Sequence, residues 1–162
     1  MRAFFSVLAT AALCLTGCSS AYQRTYDQET QLLEEQRRIR EQQQEAAQRQ
    51  EALKYVAVVL FAVNSAVIDE DGFRELDWFL EKIRSYPNAT IDVKGYTDST
   101  GSEARNQPLS NKRAWAVQDY LVSRGIRADH IFASGYGASD PTRPNVDSKG
   151  RTQNRRAEVR VH

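Results

Sequence analysis

The chain has 162 residues, with 22 basic against 21 acidic side chains, a formal net charge of +1 and a pI of about 7.8. That balance leaves no basic excess for holding a polyanion, so nucleic acid is not the expected partner. Two cysteines and two histidines argue against a disulfide scaffold, a metal centre or a cofactor site, and no HExxH or GxSxG pattern marks an enzyme.

The chain begins with Met1-Arg2, an apolar run AFFSVLATAALCL, and then Leu15-Thr16-Gly17-Cys18. The run is shorter than the roughly 20 residues that a membrane-spanning helix needs. A short positive start, an apolar stretch and small residues before a cysteine together resemble a bacterial lipoprotein signal peptide. The resemblance implies that residues 1–17 are removed and that acyl chains are attached to Cys18, with a plain secretory signal as the alternative. Ser19, in place of an aspartate, then favours the outer membrane over the inner, with the protein facing the periplasm. Loss of Cys14 and Arg2 with the signal leaves no free thiol and balances the charge at 21 against 21.

Residues 18–54 form a polar tether. TYDQETQLLEEQRRIREQQQEAAQRQEAL is rich in Gln, Glu and Arg and lacks Gly and Pro. Leu32, Ile39, Ala46 and Leu53 recur every seven positions, and Glu34 can pair with Arg38 one turn on, which favours helix. The matching second positions, Glu35, Gln42 and Arg49, are polar, so a dry coiled-coil seam is missing. Two states remain open, a lone or weakly paired helix and a partly disordered spacer, with weak self-association through residues 23–52 as a further option. As helix the tether reaches about 54 Å, and pulled straight about 120 Å.

Residues 55–162 suffice for one small domain. YVAVVLFAV reads as a buried strand. Asp69, Glu70 and Asp71 open a helix whose Phe73, Leu76, Leu80 and Ile83 share a face, and Pro87 follows its end. Ile91 and Val93 alternate with Asp92 and Lys94 in a second strand. A second long helix is expected from about Asn111 to Arg124, with Ser110 as its N-cap, Ala114, Val117 and Leu121 inward, and Gly125 at its stop. HIFASGY gives a third strand, and Ala157, Val159 and Val161 alternate with Glu158 and Arg160 in a last one. The order β-α-β-α-β-β predicts an α+β two-layer sandwich in which two main helices pack on one face of a four-stranded sheet.

Two blocks carry the functional signal: GYTDSTGSEARNQPLSNKRA, Gly95 to Ala114, and GRTQNRRAEV, Gly150 to Val159. They resemble the peptidoglycan-binding domain of OmpA-like outer-membrane proteins and peptidoglycan-associated lipoproteins, over roughly Val58 to Val161. Asp98, Gly101, Asn106, Leu109, Ser110, Arg113 and Ala114 fall in register with that family, in which the sheet is mixed. The resemblance implies that Asp98 and Arg113 hold the diaminopimelate of the peptidoglycan stem peptide. The residue types suit the task. The free end of meso-diaminopimelate carries an ammonium, for which a carboxylate is an acceptor, and a carboxylate, which a guanidinium can grip with two parallel N–H groups. With Ser110 as N-cap, Arg113 would lie in the first helical turn, whose unpaired amides favour an anion as well. Thr97, Gly101, Asn106, Leu109 and Ser110 are expected to support the pocket, Gly101 and Asn106 through loop backbone, while Asn154 and Arg155 brace the loop around Asp98. Ala62 and Ala157 depart from the family, which commonly has a polar residue and a valine there.

Two other classes of function stay in view. An enzyme would have to use His130 or His162, one at a strand start and one at the chain end, with no nucleophile beside either. A protein-interaction module could use the charged tether or the domain surface to engage a periplasmic partner, alone or alongside wall binding.

Overall fold

The computed structural model describes the backbone from Phe4 to His162 and the side chains from Tyr22 onward. Met1, Arg2 and Ala3 of the expected leader lie outside the described residues, as does the side chain of Cys18. The chain forms two units, the first ending at Ala46 and the second running from Ala47 to His162.

Helix α1 spans Phe4–Ala52. From Ser19 onward it has no glycine or proline to break it, and pairs one turn apart tie its surface, with Gln23 donating to Asp27 at 3.1 Å and Arg37 to Glu41 at 2.8 Å. Of the two states left open for residues 18–54, the helix is formed as far as Ala52. Leu32, Leu33 and Ile39 stay exposed along it. Among the described residues, no helix is long and apolar enough to cross a membrane.

In the second unit, four strands form one sheet in the order β1-β4-β2-β3. They are β1 (Val56–Leu60), β2 (Ile91–Gly95), β3 (Ile131–Gly135) and β4 (Arg156–Val161). β4 runs antiparallel to both β1 and β2, whereas β2 and β3 are parallel, so the sheet is mixed. Helices α2 (Glu70–Ile83) and α3 (Glu103–Ser123) cover one face. The core between the layers contains Ala57 and Val59 of β1, Val93 of β2, Val159 of β4, Leu76 and Phe79 of α2, and Val117 and Leu121 of α3. Ala52, at the end of α1, joins it.

Four details differ from expectation. β1 is not buried throughout. Ala57 and Val59 point inward while Val56, Val58 and Leu60 are exposed, because β1 is an edge strand of a sheet with helices on one side only. The buried stripe of α2 is Gly72, Leu76, Phe79 and Ile83, rotated from the expected one, so that Phe73 moves to the flank and packs on Tyr120. Gly72 is the cause: a Cβ there would lie 2.8 Å from Ile68 Cγ2 and 2.9 Å from Val59 Cγ1, so its missing side chain lets α2 settle onto β1. The start of α2 matches expectation, with the Asp69 carboxylate accepting from the Gly72 amide at 2.9 Å.

The third difference matters most for the site. α3 begins at Glu103 after Ser102, not at Asn111, so Ser110 is no N-cap and Arg113 lies about three turns inside the helix. Pro108 stands within α3, where it has no amide to bond back to Ala104 and its ring crowds that carbonyl. The middle of α3 touches the sheet at two glycines. A Cβ on Gly95 would stand 2.1 Å from the Ser110 carbonyl oxygen, and one on Gly135 would stand 2.3 Å from the Asn111 amide nitrogen. Ser110 donates to Gln107 O within the helix at 2.8 Å, and the close approach lets it accept from the Gly137 amide at 2.9 Å, while Asn111 Oδ1 accepts from the Gly135 amide at 2.7 Å. Ser110 therefore pins α3 to the strand ends, and Arg113 is carried in beneath the loop that follows β2.

A short helix, α4 (Ser148–Asn154), precedes β4 and was not anticipated. Its cap is Asp147, whose carboxylate accepts from the Gly150 amide at 2.6 Å.

Candidate functional site

The loop between β2 and α3 shapes one wall of a cavity of about 160 Å³. It leaves the sheet at Thr97, whose amide donates to Gly137 O at 2.8 Å. Asp98 follows, almost fully buried. Its Oδ1 accepts from the Thr100 amide at 2.9 Å in an Asx turn, and its Oδ2 accepts from Arg155 Nη1 at 3.1 Å. Gly101 then turns the chain into α3 with φ of +93°, a left-handed conformation that disfavours any side chain. Asn106, expected in this loop, lies inside α3, and it is its side-chain amide that donates to Asp98 O at 3.4 Å.

A second layer holds the loop. Asn154 has no exposed surface; its Nδ2 donates to Arg143 O at 2.7 Å and Asn145 Oδ1 at 2.9 Å, and its Oδ1 accepts from the Arg143 amide at 3.0 Å. Asn145 Oδ1 in turn accepts from the Ser99 amide at 3.2 Å. Arg155 binds Phe61 O at 3.0 Å and Thr152 Oγ1 at 2.9 Å besides Asp98.

Arg113 forms the opposite wall. It has no exposed surface, and its guanidinium donates to three backbone carbonyls: Nε to Ser65 at 2.9 Å, Nη1 to Tyr96 at 2.7 Å and Nη2 to Ala62 at 3.1 Å. A guanidinium carries five N–H groups, so one on each Nη is uncommitted. Phe61 lies 5.2 Å from its central carbon. Among the described residues no carboxylate is paired directly with Arg113. Burial draws its pKa down to about 10, with Arg155 acting in the same direction and Asp98 against it. It remains charged at neutral pH, a buried cation that Asp98 offsets only from a distance.

Burial pushes the Asp98 carboxyl up, but the Thr100 amide and Arg155 together outweigh it, so its pKa falls below the ordinary value. A carboxylate ionised at neutral pH thus shares one small cavity with a guanidinium that is not paired directly with it. Such an arrangement suits an ammonium and a carboxylate belonging to one ligand. Thr97 also lines the cavity, and its buried hydroxyl has no hydrogen-bond partner among the described residues.

Of the residues singled out in the sequence, Thr97, Asp98, Gly101, Asn106, Leu109, Arg113 and Arg155 line this cavity, while Ser110 and Asn154 stand behind it. The helix-start amides expected beside Arg113 are instead at the Gly101 end of α3, because the helix begins earlier. Val63, Asn64, Thr100 and Arg105 complete the lining and were missed. Arg105 lies inside the first block and could have been noticed as a cation seven positions after Asp98. Val63 and Asn64 come from the β1–α2 connection, where Asn64 adopts φ of +55°, and nothing in their local sequence points to the site. Among the described residues, no group of His, Cys, Asp and Glu side chains is arranged to hold a metal ion.

The mixed sheet, its two covering helices and a charged cavity at the strand ends define a small α+β ligand-binding domain. The chain belongs to the OmpA family, whose match covers residues 60–155. It is 39% identical over 104 residues to the peptidoglycan-binding protein ArfA of Mycobacterium tuberculosis, an alignment covering 64% of this chain and 32% of that protein. It is 36% identical over 101 residues to the probable lipoprotein YiaD of Escherichia coli, covering 62% of this chain and 46% of the other. These shares mean that the match spans about a third of the length of the first relative and just under half of the second. Among solved structures, the peptidoglycan-associated lipoprotein from Burkholderia pseudomallei superposes with a TM-score of 0.62 at 27% identity, covering 65% of this chain and 90% of that one.

Proposed function

We propose that the domain of residues 55–162 binds peptidoglycan non-covalently through the diaminopimelate of its stem peptide. The observation that carries this reading is that Asp98 and Arg113 line one cavity, an anion and a cation that would suit the opposite charges of a single amino-acid end group. Asp98 would accept from the ligand ammonium. The uncommitted N–H on each Nη of Arg113 would take the ligand carboxylate, end-on, since the other donors are spent on carbonyls. The names of the ArfA and Burkholderia relatives support the ligand class. The protein acts here by holding, with no bond made or broken.

Residues 1–17 would be the signal, and residues 18–54 the tether that lets a domain fixed at the outer membrane reach the wall from the periplasmic side. Several acyl chains on Cys18 give lasting attachment where a single chain gives only reversible binding. Attachment also keeps a weak binder beside a polymer offering many copies of its ligand, so modest single-site affinity still joins the two layers. The lipoprotein relative supports this part. Mass spectrometry of protein extracted from envelopes is expected to find an N-terminal acylated Cys18, and an unmodified or uncleaved N-terminus would refute the anchor.

For the wall itself, the purified protein is expected to co-sediment with diaminopimelate-type sacculi and to be released by free meso-diaminopimelate. Sacculi whose third residue is lysine lack the side-chain carboxylate and are expected to leave it in the supernatant. Equal sedimentation with both kinds would overturn the ligand assignment.

A further inference from the structure

Arg105 has no place in the account so far, although it lines the cavity. It sits in the first turn of α3, exposed, with the Cδ of its stem 3.7 Å from where a Cβ on Gly101 would be, so the stem lies across the turn that shapes the Asp98 loop. Its guanidinium makes no hydrogen bond or ion pair with any of the described residues. Neighbouring arginines behave differently: Arg155 is tied to Asp98, Phe61 and Thr152, and Arg113 to three carbonyls.

The charges lining the cavity are Asp98 against Arg105, Arg113 and Arg155. Asp98 and Arg155 are in direct contact at 3.1 Å and offset one another. Two cations remain, the buried Arg113 and the exposed Arg105. The zwitterionic end of diaminopimelate brings no net charge, so its single carboxylate can answer Arg113 and leaves Arg105 unanswered. A stem peptide has further carboxylates close by, the α-carboxylate of the γ-linked D-glutamate and the carboxylate at the peptide's C-terminus.

We infer that Arg105 receives a second carboxylate of the same peptide, so that the site selects a net-anionic stem peptide over one in which that neighbouring carboxylate is amidated. This rests on the diaminopimelate reading above and adds to it a specificity-determining residue. Because Arg105 is exposed, the preference is modest and weakens as salt is added.

The test is calorimetric titration of the purified protein and its Arg105→Gln variant with synthetic L-Ala-γ-D-Glu-meso-diaminopimelyl-D-Ala and with three forms in which one carboxylate at a time is an amide. The wild-type protein is expected to lose about fivefold in affinity when one of the two neighbouring carboxylates is amidated, the upper range for an exposed pair. Which of the two amides does so identifies the source. Arg105→Gln is expected to bind the unmodified peptide about fivefold more weakly and to ignore that amidation, while both proteins lose binding when the diaminopimelate side-chain carboxylate is amidated. If the wild type tolerates both neighbouring amides, or if the variant loses as much from amidation as the wild type does, the role of Arg105 is overturned and the diaminopimelate reading stands. If the side-chain amide is tolerated or the unmodified peptide does not bind, the reading itself fails and this inference with it.

Discussion

Replacing Arg113 with alanine is expected to lower the unfolding free energy by about 3 kcal/mol, seen in calorimetry as a fall in melting temperature of roughly 10 °C. The side chain has no exposed surface and satisfies the carbonyls of Ala62, Ser65 and Tyr96. Losing a partner costs about 1 to 3 kcal/mol for each buried group left unsatisfied, and water entering the vacated space recovers part of that. Removing a poorly compensated buried cation returns some free energy, which is why the expected loss is below the simple sum. Arg113→Met separates the causes, since it fills the space without donating. If methionine restores most of the stability, packing dominates. If it does not, the three carbonyls do. A loss under about 1 kcal/mol for alanine would show that Arg113 serves the ligand alone. The consequence is practical: failure of Arg113→Ala to bind sacculi reports on the fold as much as on the ligand, contrary to what the sequence suggests for an arginine at a helix start.

The reason this was not legible lies in Ser110 and Gly95. Serine is a favoured N-cap type, so Ser110 reads as a helix start and Arg113 as a first-turn surface residue, although α3 has already begun at Glu103. Only the close approach of α3 to the strand ends, at Gly95 and Gly135, shows that this part of the helix is in the interior. The alternation of β2 and β4 was easy to read because each exposes one face. The same alternation in β1 was hidden, since its outward Val56, Val58 and Leu60 are as apolar as its inward residues. Asp98 and Arg113 were singled out through the resemblance of a block to a known family, while other residues lining the same cavity, Val63 and Asn64 among them, come from a distant connection and are brought in by the sheet. Local signals recover elements; the joining of separate loops depends on packing.

Replacing Asp98 with asparagine is the cleaner test of binding. Asparagine keeps the shape and an acceptor for the Thr100 amide but loses the charge that would face the ligand ammonium. For a buried, hydrogen-bonded charge pair this is expected to weaken a monovalent stem peptide by about 2 to 5 kcal/mol, roughly 30-fold to several thousand-fold, and to abolish co-sedimentation. The structural cost should be smaller, about 2 kcal/mol at neutral pH, because Arg155 retains Phe61 and Thr152 when the Asp98 carboxylate is gone. The pH dependence checks that cost independently. The folded pKa of Asp98 lies below its ordinary value of 3.8, since the Thr100 amide and Arg155 together outweigh the opposing effect of burial. A depressed carboxylate stabilises the fold in full above the unfolded pKa, and this contribution disappears as pH falls through the folded one. The stability gap between wild type and Asp98→Asn should therefore be constant from about pH 5 upward and close in acid below 3.8, as denaturation midpoints at successive pH values would show. A gap that stayed open in acid would mean that the wild-type advantage does not come from the ionised carboxylate, and would remove the electrostatic basis for placing an ammonium beside it.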